Sequence, residues 1–440
     1  MDGQPSADAG RTAGGDDMAG SPDDEDGLDY NALPLFIVTQ TTTLQVPVMN
    51  MSGADAKLVV YLDFDKSGTF GAGEMFSPVA LVPTGTNANV AVPILVPSNA
   101  VVGDPVGLRI RLANNSAEAM SPTGLANTGE VEDYVVRIVG YDYGDLPDTY
   151  NTNGNDNPPK HIVSNDLKLG ASVDAELDGV ADPMAGLMGG GDDGDAGLVT
   201  FGTSAPAGDD ENGITFATPL IPGGTAAILV DAMNMTGSAA VLQGWIDWNG
   251  DGDFDVPTEE LVFTNGGAGN VPSPAGLSAA SLTFNVPANA TFAAGNAMVR
   301  FRLSPLGGLS PGGQTDPVPF GEIEDYKVAL GKVGNLVWED RDFDGQQDNP
   351  TDEAGINGVT VTLTWLGADG AVGGSGLNAD VTYTALTTGP AGGFQQGEYY
   401  FCGLTDGPGA NDNQYKITYA TPANMTPTRA NQAGGDNELD

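Results

Sequence analysis

Short stretches in which apolar and polar side chains alternate recur along the whole chain. In the first third they are Leu44–Val48, Lys57–Asp63, Val90–Val96, Val106–Leu112 and Val131–Val139, each bounded by Gly, Pro, Asn or Asp. A period of two places alternate side chains on one face, so these stretches predict strands and their boundaries predict turns. Six or seven such strands within about 110 residues predict an antiparallel β-sandwich, Ig-like or jelly-roll-like. No stretch sustains an apolar period of 3.6 residues with caps, so helices are expected to be few and short. From about Lys332 the pattern changes. Val333–Asp340 reads as a strand running into an acidic loop, followed by strands at Gly358–Thr364, Val381–Leu386, Gly397–Phe401 and Tyr415–Tyr419.

Whole motifs return later in the chain. Met49-Asn50-Met51-Ser52-Gly53 recurs as Met233-Asn234-Met235-Thr236-Gly237, and Leu62-Asp63-Phe64-Asp65 as Ile246-Asp247-Trp248-Asn249. Arg109-Ile110-Arg111-Leu112 recurs as Arg300-Phe301-Arg302-Leu303. Gly129-Glu130-Val131-Glu132-Asp133-Tyr134 recurs as Gly321-Glu322-Ile323-Glu324-Asp325-Tyr326. The interval creeps by a few residues, as loop insertions between shared strands would make it. We therefore expect two copies of one domain, residues 32–140 and 216–331, and a third, distinct sandwich at 332–440. Between the copies lies an Asp/Gly-rich segment, residues 141–215. Its closing motif Asp209-Asp210-Glu211-Asn212-Gly213-Ile214 matches Asp23-Asp24-Glu25-Asp26-Gly27-Leu28. Residues 1–31 thus read as the tail of another such segment, and the framing motifs predict that 141–215 packs on its neighbours.

Composition narrows the chemistry. Among 440 residues, 59 are acidic and 15 basic, a formal net charge of −44. Such a chain repels nucleic acid and anionic membrane and attracts cations. One cysteine, Cys402, and one histidine, His161, allow neither an intrachain disulfide nor a Cys/His zinc site. His161 is expected at the surface and Cys402 as a small buried thiol. No nucleophile–base constellation stands out, so we expect no enzyme. No apolar run approaches the ~20 residues that span a bilayer, and Met1-Asp2-Gly3-Gln4-Pro5 does not open a signal peptide.

The cation chemistry has an address. Calcium takes oxygens from loops with acids at alternate positions, a glycine at the sixth and an acid at the twelfth. Asp63, Asp65, Ser67 and Thr69 lead to Glu74 at the twelfth position. Asp247, Asn249, Asp251 and Asp253 have the same spacing, but there the nearest acid, Glu259, is one residue late. Asp340, Asp342, Asp344, Gln346 and Asp348 form a third loop, in which Asp352 or Glu353 must reach back. Asp-Gly pairs also make plain β-turns; four carboxylates at alternate positions repel one another without a cation. The acids of the two hexapeptides either pair with Arg109, Arg111, Arg300 and Arg302 across strands or form a second calcium site. Tyr61 and Trp245, at equivalent positions beside the loops, either stack on a sugar or fill the core, and the core is the expected place.

The hexapeptide and the loop Gly244–Asp255 resemble the GEVED modules of secreted bacterial surface proteins. Residues 332–440, with Val337-Trp338-Glu339-Asp340, resemble the Cna-B-like B repeats of serine–aspartate-repeat adhesins. These resemblances imply β-sandwich modules, calcium binding, an extracellular, cell-surface setting and no catalytic activity. The second also implies that the last module stops before its last strand, so the chain is read as a segment of a longer polypeptide. We expect a non-catalytic, calcium-stiffened subunit of a bacterial surface filament, sheath or stalk. The alternatives are an adhesin binding a glycan or protein, and the accessory region of a secreted hydrolase. Expected partners are calcium ions and either further copies or neighbouring modules. One route to a polymer is packing of residues 1–30 onto the open edge of another copy's last module.

Overall fold

The computed structural model describes residues 27–29, 32–144, 146–152, 157–173, 175, 198–199, 211–264, 269–292, 295–313, 316, 318–343, 345, 347, 352–389, 395–405 and 415–428. The chain forms two units. One comprises Met1–Asp142 with Ile162–Asn165 and Asp174–Leu177; the other comprises Tyr143–His161, Asp166–Val173 and Asp178–Asp440.

The first unit is built from β1 (Phe36–Ile37), β2 (Thr41–Asn50), β3 (Lys57–Leu62), β4 (Met75–Phe76), β5 (Thr86–Leu95), β6 (Pro105–Ala113) and β7 (Glu130–Val139). One sheet has the order β1-β7-β6-β3-β4 and the other pairs β2 with β5. Every second side chain of β2 is buried, as its strict alternation dictates. Leu44, Val46, Leu58, Val60, Val92 and Ile94 fill the space between the sheets, each contributing roughly 1.5–3 kcal/mol by leaving water. Pairing is antiparallel except at one edge, where β1 runs parallel to β7. The helix α1 (Ser116–Ala119) is a single turn capped by Asn115, whose Oδ1 accepts the Ala117 amide at 3.0 Å.

The second unit repeats this plan. After the short strands β8 (Tyr141–Tyr143), β9 (Lys160–Ile162), β10 (Leu167–Leu169) and β11 (Leu198–Val199) come β12 (Ile214–Phe216), β13 (Thr225–Asn234), β14 (Ala240–Ile246), β15 (Gly269–Val271), β16 (Ala275–Asn285), β17 (Asn296–Ser304) and β18 (Glu322–Ala329). The order β11-β18-β17-β14-β15 matches the large sheet of the first unit, down to the parallel edge pair β11–β18. The smaller sheet, β10-β13-β12 with β16 on β13, takes in β10 from the acidic segment. Residues 153–156, 176–197 and 200–210 of that segment lie outside the described residues.

The glycine that opens each hexapeptide has a conformational reason. Gly129 and Gly321 have φ of 92° and 148°, and a side chain on either would strike the carbonyl of Leu112 or Leu303 on the neighbouring strand. Only glycine lets the strand start this close to its partner.

The third sandwich consists of β19 (Gly331–Leu336), β20 (Thr360–Trp365), β21 (Val381–Leu386), β22 (Glu398–Leu404) and β23 (Tyr415–Tyr419), arranged as β19-β22 over β21-β20-β23. Only Leu330 separates β18 from β19. The junction is closed by side chains from both sides. Ile221 of the second sandwich belongs to the third core, and Cys402 of the third packs against the second. The Leu220 amide donates to the Gly403 carbonyl at 2.9 Å, and Gly403, at φ 77°, has no room for a Cβ against the Leu220 carbonyl.

Candidate metal centres

Three acidic loops follow strand ends, and all three are wound the same way. Their fourth and sixth residues are left-handed: Lys66 (φ 54°) and Gly68 (75°), Gly250 (73°) and Gly252 (95°), Phe343 (66°) and Gly345 (80°). This curl turns backbone amides onto the first acid. Asp63 Oδ1 and Oδ2 accept the amides of Ser67 and Gly68 at 3.0 and 2.9 Å. Asp247 accepts those of Gly250 and Gly252 at 2.6 and 3.1 Å, and Asp340 those of Phe343 and Gly345 at 2.7 and 3.1 Å.

The late glutamate closes each loop by one device. Glu74 Oε1 accepts the Phe64 amide at 2.7 Å, Glu259 Oε1 the Trp248 amide at 2.9 Å, and Glu353 Oε1 the Arg341 amide at 3.1 Å. Although Glu259 and Glu353 come one and two residues after the twelfth position, each carboxylate returns to the same amide, that of the loop's second residue.

The clusters that result differ in one respect. Oxygens of Asp63, Asp65 and Glu74 lie within 4.8 Å of one another, as do those of Asp340, Asp342 and Glu353. In the second loop the grouped acids are Asp251, Asp253 and Asp255, all exposed. Asp255 was missing from the sequence-derived set, although it stands at the ninth, ligand-bearing position of the loop. Asp247 and Glu259 carry further bonds of their own. Tyr150 donates its hydroxyl to Asp247 Oδ2 at 2.6 Å, and Glu259 Oε2 accepts the Asp255 amide at 2.9 Å. Ser67 and Thr69 bond to each other (Oγ to Oγ1, 3.1 Å), and Asn249 donates to Asp251 Oδ2 at 2.7 Å. Asp344, Gln346 and Asp348 lie outside the described residues.

The donor sets fit a hard cation. Every candidate ligand is an oxygen, and each loop buries at least one carboxylate, Glu74, Glu259 or Glu353. Burial raises the Asp63 carboxyl and pushes Glu259 up to about 7, with Asp247 and Asp251 adding repulsion. A divalent cation among these oxygens would offset both costs.

The aspartate of each hexapeptide serves an Arg residue. Asp133 takes Arg109 in a two-pronged pair at 2.6 and 2.5 Å, and Asp325 takes Arg300 at 2.7 and 2.6 Å. Arg111 points into the carbonyls of Ser121, Thr123 and Gly124. Glu132 and Glu324 accept the hydroxyls of Tyr134 and Tyr326 at 2.5 and 2.8 Å, and those hydroxyls accept the amides of Leu28 and Ile214. Of the two sequence readings, Arg pairing is the one this geometry displays. Tyr61 and Trp245 are buried, which places them in the core and away from any sugar.

Residues 146–152 and 157–161 lie as a strap on the second sandwich. The Leu146 amide donates to Asp325 Oδ2 at 3.0 Å, Arg300 Nη1 donates to the Tyr150 carbonyl at 3.0 Å, and the Tyr150 ring packs on Phe254 at 4.8 Å. The strap ends at His161, which is completely buried; its expected surface position is therefore corrected. Arg302 Nε donates to His161 Nε2 at 3.2 Å, so that nitrogen carries no proton. Burial first, and then the Arg302 charge, hold the imidazole well below its ordinary 6.5. A depressed histidine contributes stability that is fully present above the unfolded value and lost as pH falls below it. We expect the second unit to lose about 1.4 kcal/mol per pH unit below 6.5 from this group, down to its native value. Urea melts of wild type and His161→Gln between pH 5 and 7 check this; parallel pH profiles would contradict it.

Tandem β-sandwiches with acidic loops at their strand ends define a class of modular proteins, and the comparisons give the class its members. Residues 57–137 and 241–329 match the GEVED domain, and residues 331–440 match the SdrD B-like domain. The chain carries two GEVED domains followed by an SdrD B-like domain. Serine-aspartate repeat-containing protein D of Staphylococcus aureus (strain Newman) is 36% identical over 115 residues, which is 26% of this chain and 7% of that protein. Protein C of the same species (strain N315) is 36% identical over 108 residues, 24% and 9% of the two chains. The chain thus spans under a tenth of the length of these curated relatives. The solved calcium binding domain CBD12 of CALX1.1 aligns over 61% of this chain and 76% of its own, with 10% identity and a TM-score of 0.17, too slight a likeness to carry any argument. Neither domain family is described as an enzyme. Among the described residues no helix is long and apolar enough to cross a membrane.

Proposed function

We propose that this region is a non-catalytic, calcium-stiffened structural part of an extracellular, cell-surface protein, of the filament, sheath or stalk kind. The observation that carries the reading is the common winding of the three loops, which recurs in two different domain families with a buried closing glutamate each time. Chance turns would share neither the left-handed fourth and sixth residues nor the amide that the glutamate takes. The match to staphylococcal serine–aspartate repeat proteins supports the surface setting. Calcium at extracellular concentrations suits such loops, whose affinities are on the order of 10⁻⁴–10⁻³ M.

Calorimetric titration of the chelator-treated full chain tests the reading. We expect calcium binding at three sites, one of them removed by each of Asp63→Asn, Asp251→Asn and Asp340→Asn. Absence of binding at roughly tenfold above that affinity range, or binding untouched by all three changes, would refute it.

A further inference from the structure

We propose that the face of the first sandwich formed by Asp63, Phe70, Arg109 and Asp133 is a docking site for an acidic strap of the kind that residues 146–152 and 157–161 form on the second. The second sandwich supplies the template. There the strap is held at four polar points: Asp247 Oδ2 by the Tyr150 hydroxyl, Asp325 Oδ2 by the Leu146 amide, Arg300 Nη1 by the Tyr150 carbonyl, and Arg302 Nε by His161.

Each point has its counterpart in the first sandwich, with one partner fewer. Asp63 Oδ2 accepts only the Gly68 amide, and Asp133 Oδ2 only Arg109 Nη2, among the described residues. Arg109 Nη1 donates to the Pro122 carbonyl at 2.8 Å, as Arg300 Nη1 does to that of Pro311 at 2.9 Å. The second acceptor, which Tyr150 gives Arg300, is not supplied to Arg109 by any described residue. Arg111 Nε, equivalent to the atom that meets His161, is buried with no hydrogen-bond partner among the described residues. Exposure follows the same division. The Arg300 and Asp325 side chains are each 0% exposed, whereas those of Arg109 and Asp133 are 15% and 28% exposed.

The apolar half of the site is present as well. Phe254 carries the Tyr150 ring on one side and the Arg300 guanidinium at 5.8 Å. Phe70 sits over Arg109 at 5.6 Å and stays half-buried. The face therefore asks for a segment with a hydroxyl-bearing ring to lie on Phe70 and reach Asp63. That segment must also bring a carbonyl for Arg109 and, a turn earlier, an amide for Asp133. The run Leu146-Pro147-Asp148-Thr149-Tyr150 meets these demands, because its 3₁₀ turn at Asp148–Tyr150 sets the amide and the ring at that separation.

The test uses the full chain and a fluorescent synthetic peptide of residues 143–161, in chelator, so that the outcome does not depend on cations in the loops. The chain's own strap, tethered at an effective concentration of order millimolar, stays on the second sandwich. We expect saturable binding at one site, with new amide protection at residues 63–74 and 130–134. Losing the Tyr150 hydroxyl from the peptide (Tyr150→Phe) should weaken binding about tenfold, and Asp133→Asn in the protein by a similar factor. The peptide variant leaves the protein's fold untouched, so a loss there cannot come from unfolding. Absence of binding, equal binding by a scrambled peptide, or protection confined to the second sandwich would overturn the proposal.

Discussion

Replacing Asp325 by alanine is expected to destabilise the second sandwich by about 3–5 kcal/mol, the range for breaking a buried ion pair from one side. The change strands the Arg300 guanidinium, whose side chain is completely enclosed, and removes the acceptor of the Leu146 amide. The strap closes the site against water, so neither group can be rehydrated without local unfolding. Two controls separate this from ordinary packing loss. Asp133→Ala, at the same point of the first sandwich, should cost only about 1 kcal/mol, because its Arg109 partner can turn to solvent. The double change Arg300→Met with Asp325→Ala should recover much of the loss, since no charge is left unpaired. Urea midpoints of the full-chain variants measure all three; equal losses for Asp325→Ala and Asp133→Ala would show that enclosure is not the cause.

Chelation is expected to lower the melting temperature of every module, and that of the second sandwich more at pH 8 than at pH 6. Calcium at tenfold over its dissociation constant adds about 1.4 kcal/mol per site by mass action. The pH dependence comes from Glu259. Without a cation its carboxyl is pushed up to about 7 by burial. A raised carboxyl contributes stability that is fully present below its unfolded value and lost as pH rises through about 7. The metal-free second sandwich therefore weakens across neutrality, whereas the calcium form, with Glu259 ionised against the ion, does not. Calorimetric melts with and without chelator at the two pH values decide this. A chelator effect that is absent, or larger at pH 6, would contradict the metal reading of that loop.

What was legible in the sequence was whatever is local. The alternation in Leu44–Val48 marks a strand, which runs over Thr41–Asn50 with every second residue buried, and the duplicated motifs correspond to two sheets of matching order. The first and third loops group Asp63, Asp65 and Glu74, and Asp340, Asp342 and Glu353, because loop ligands lie within a dozen residues of one another. In the second loop one contact is of the opposite kind. Asp247 is engaged by Tyr150, 97 residues away, and no spacing rule reports a partner at that distance. His161 was placed at the surface because an Asn/Pro-rich neighbourhood looks like a loop; its burial depends on Arg302, 141 residues further on. Long-range strap contacts of this kind leave only types of residue in the sequence, not pairings.

The seam at Leu330 bears on how such proteins are assembled from parts in their genes. A cassette cut at Gly331 would carry the strands of the third sandwich and leave behind Ile221, a member of its core, together with the Leu220 amide that Gly403 accepts. Recombination at that point yields a folded neighbour only where the incoming module brings a glycine at the position of Gly403 and the outgoing one an aliphatic residue at that of Ile221. A module swap at Gly331 is therefore expected to cost the third sandwich stability unless both positions are matched.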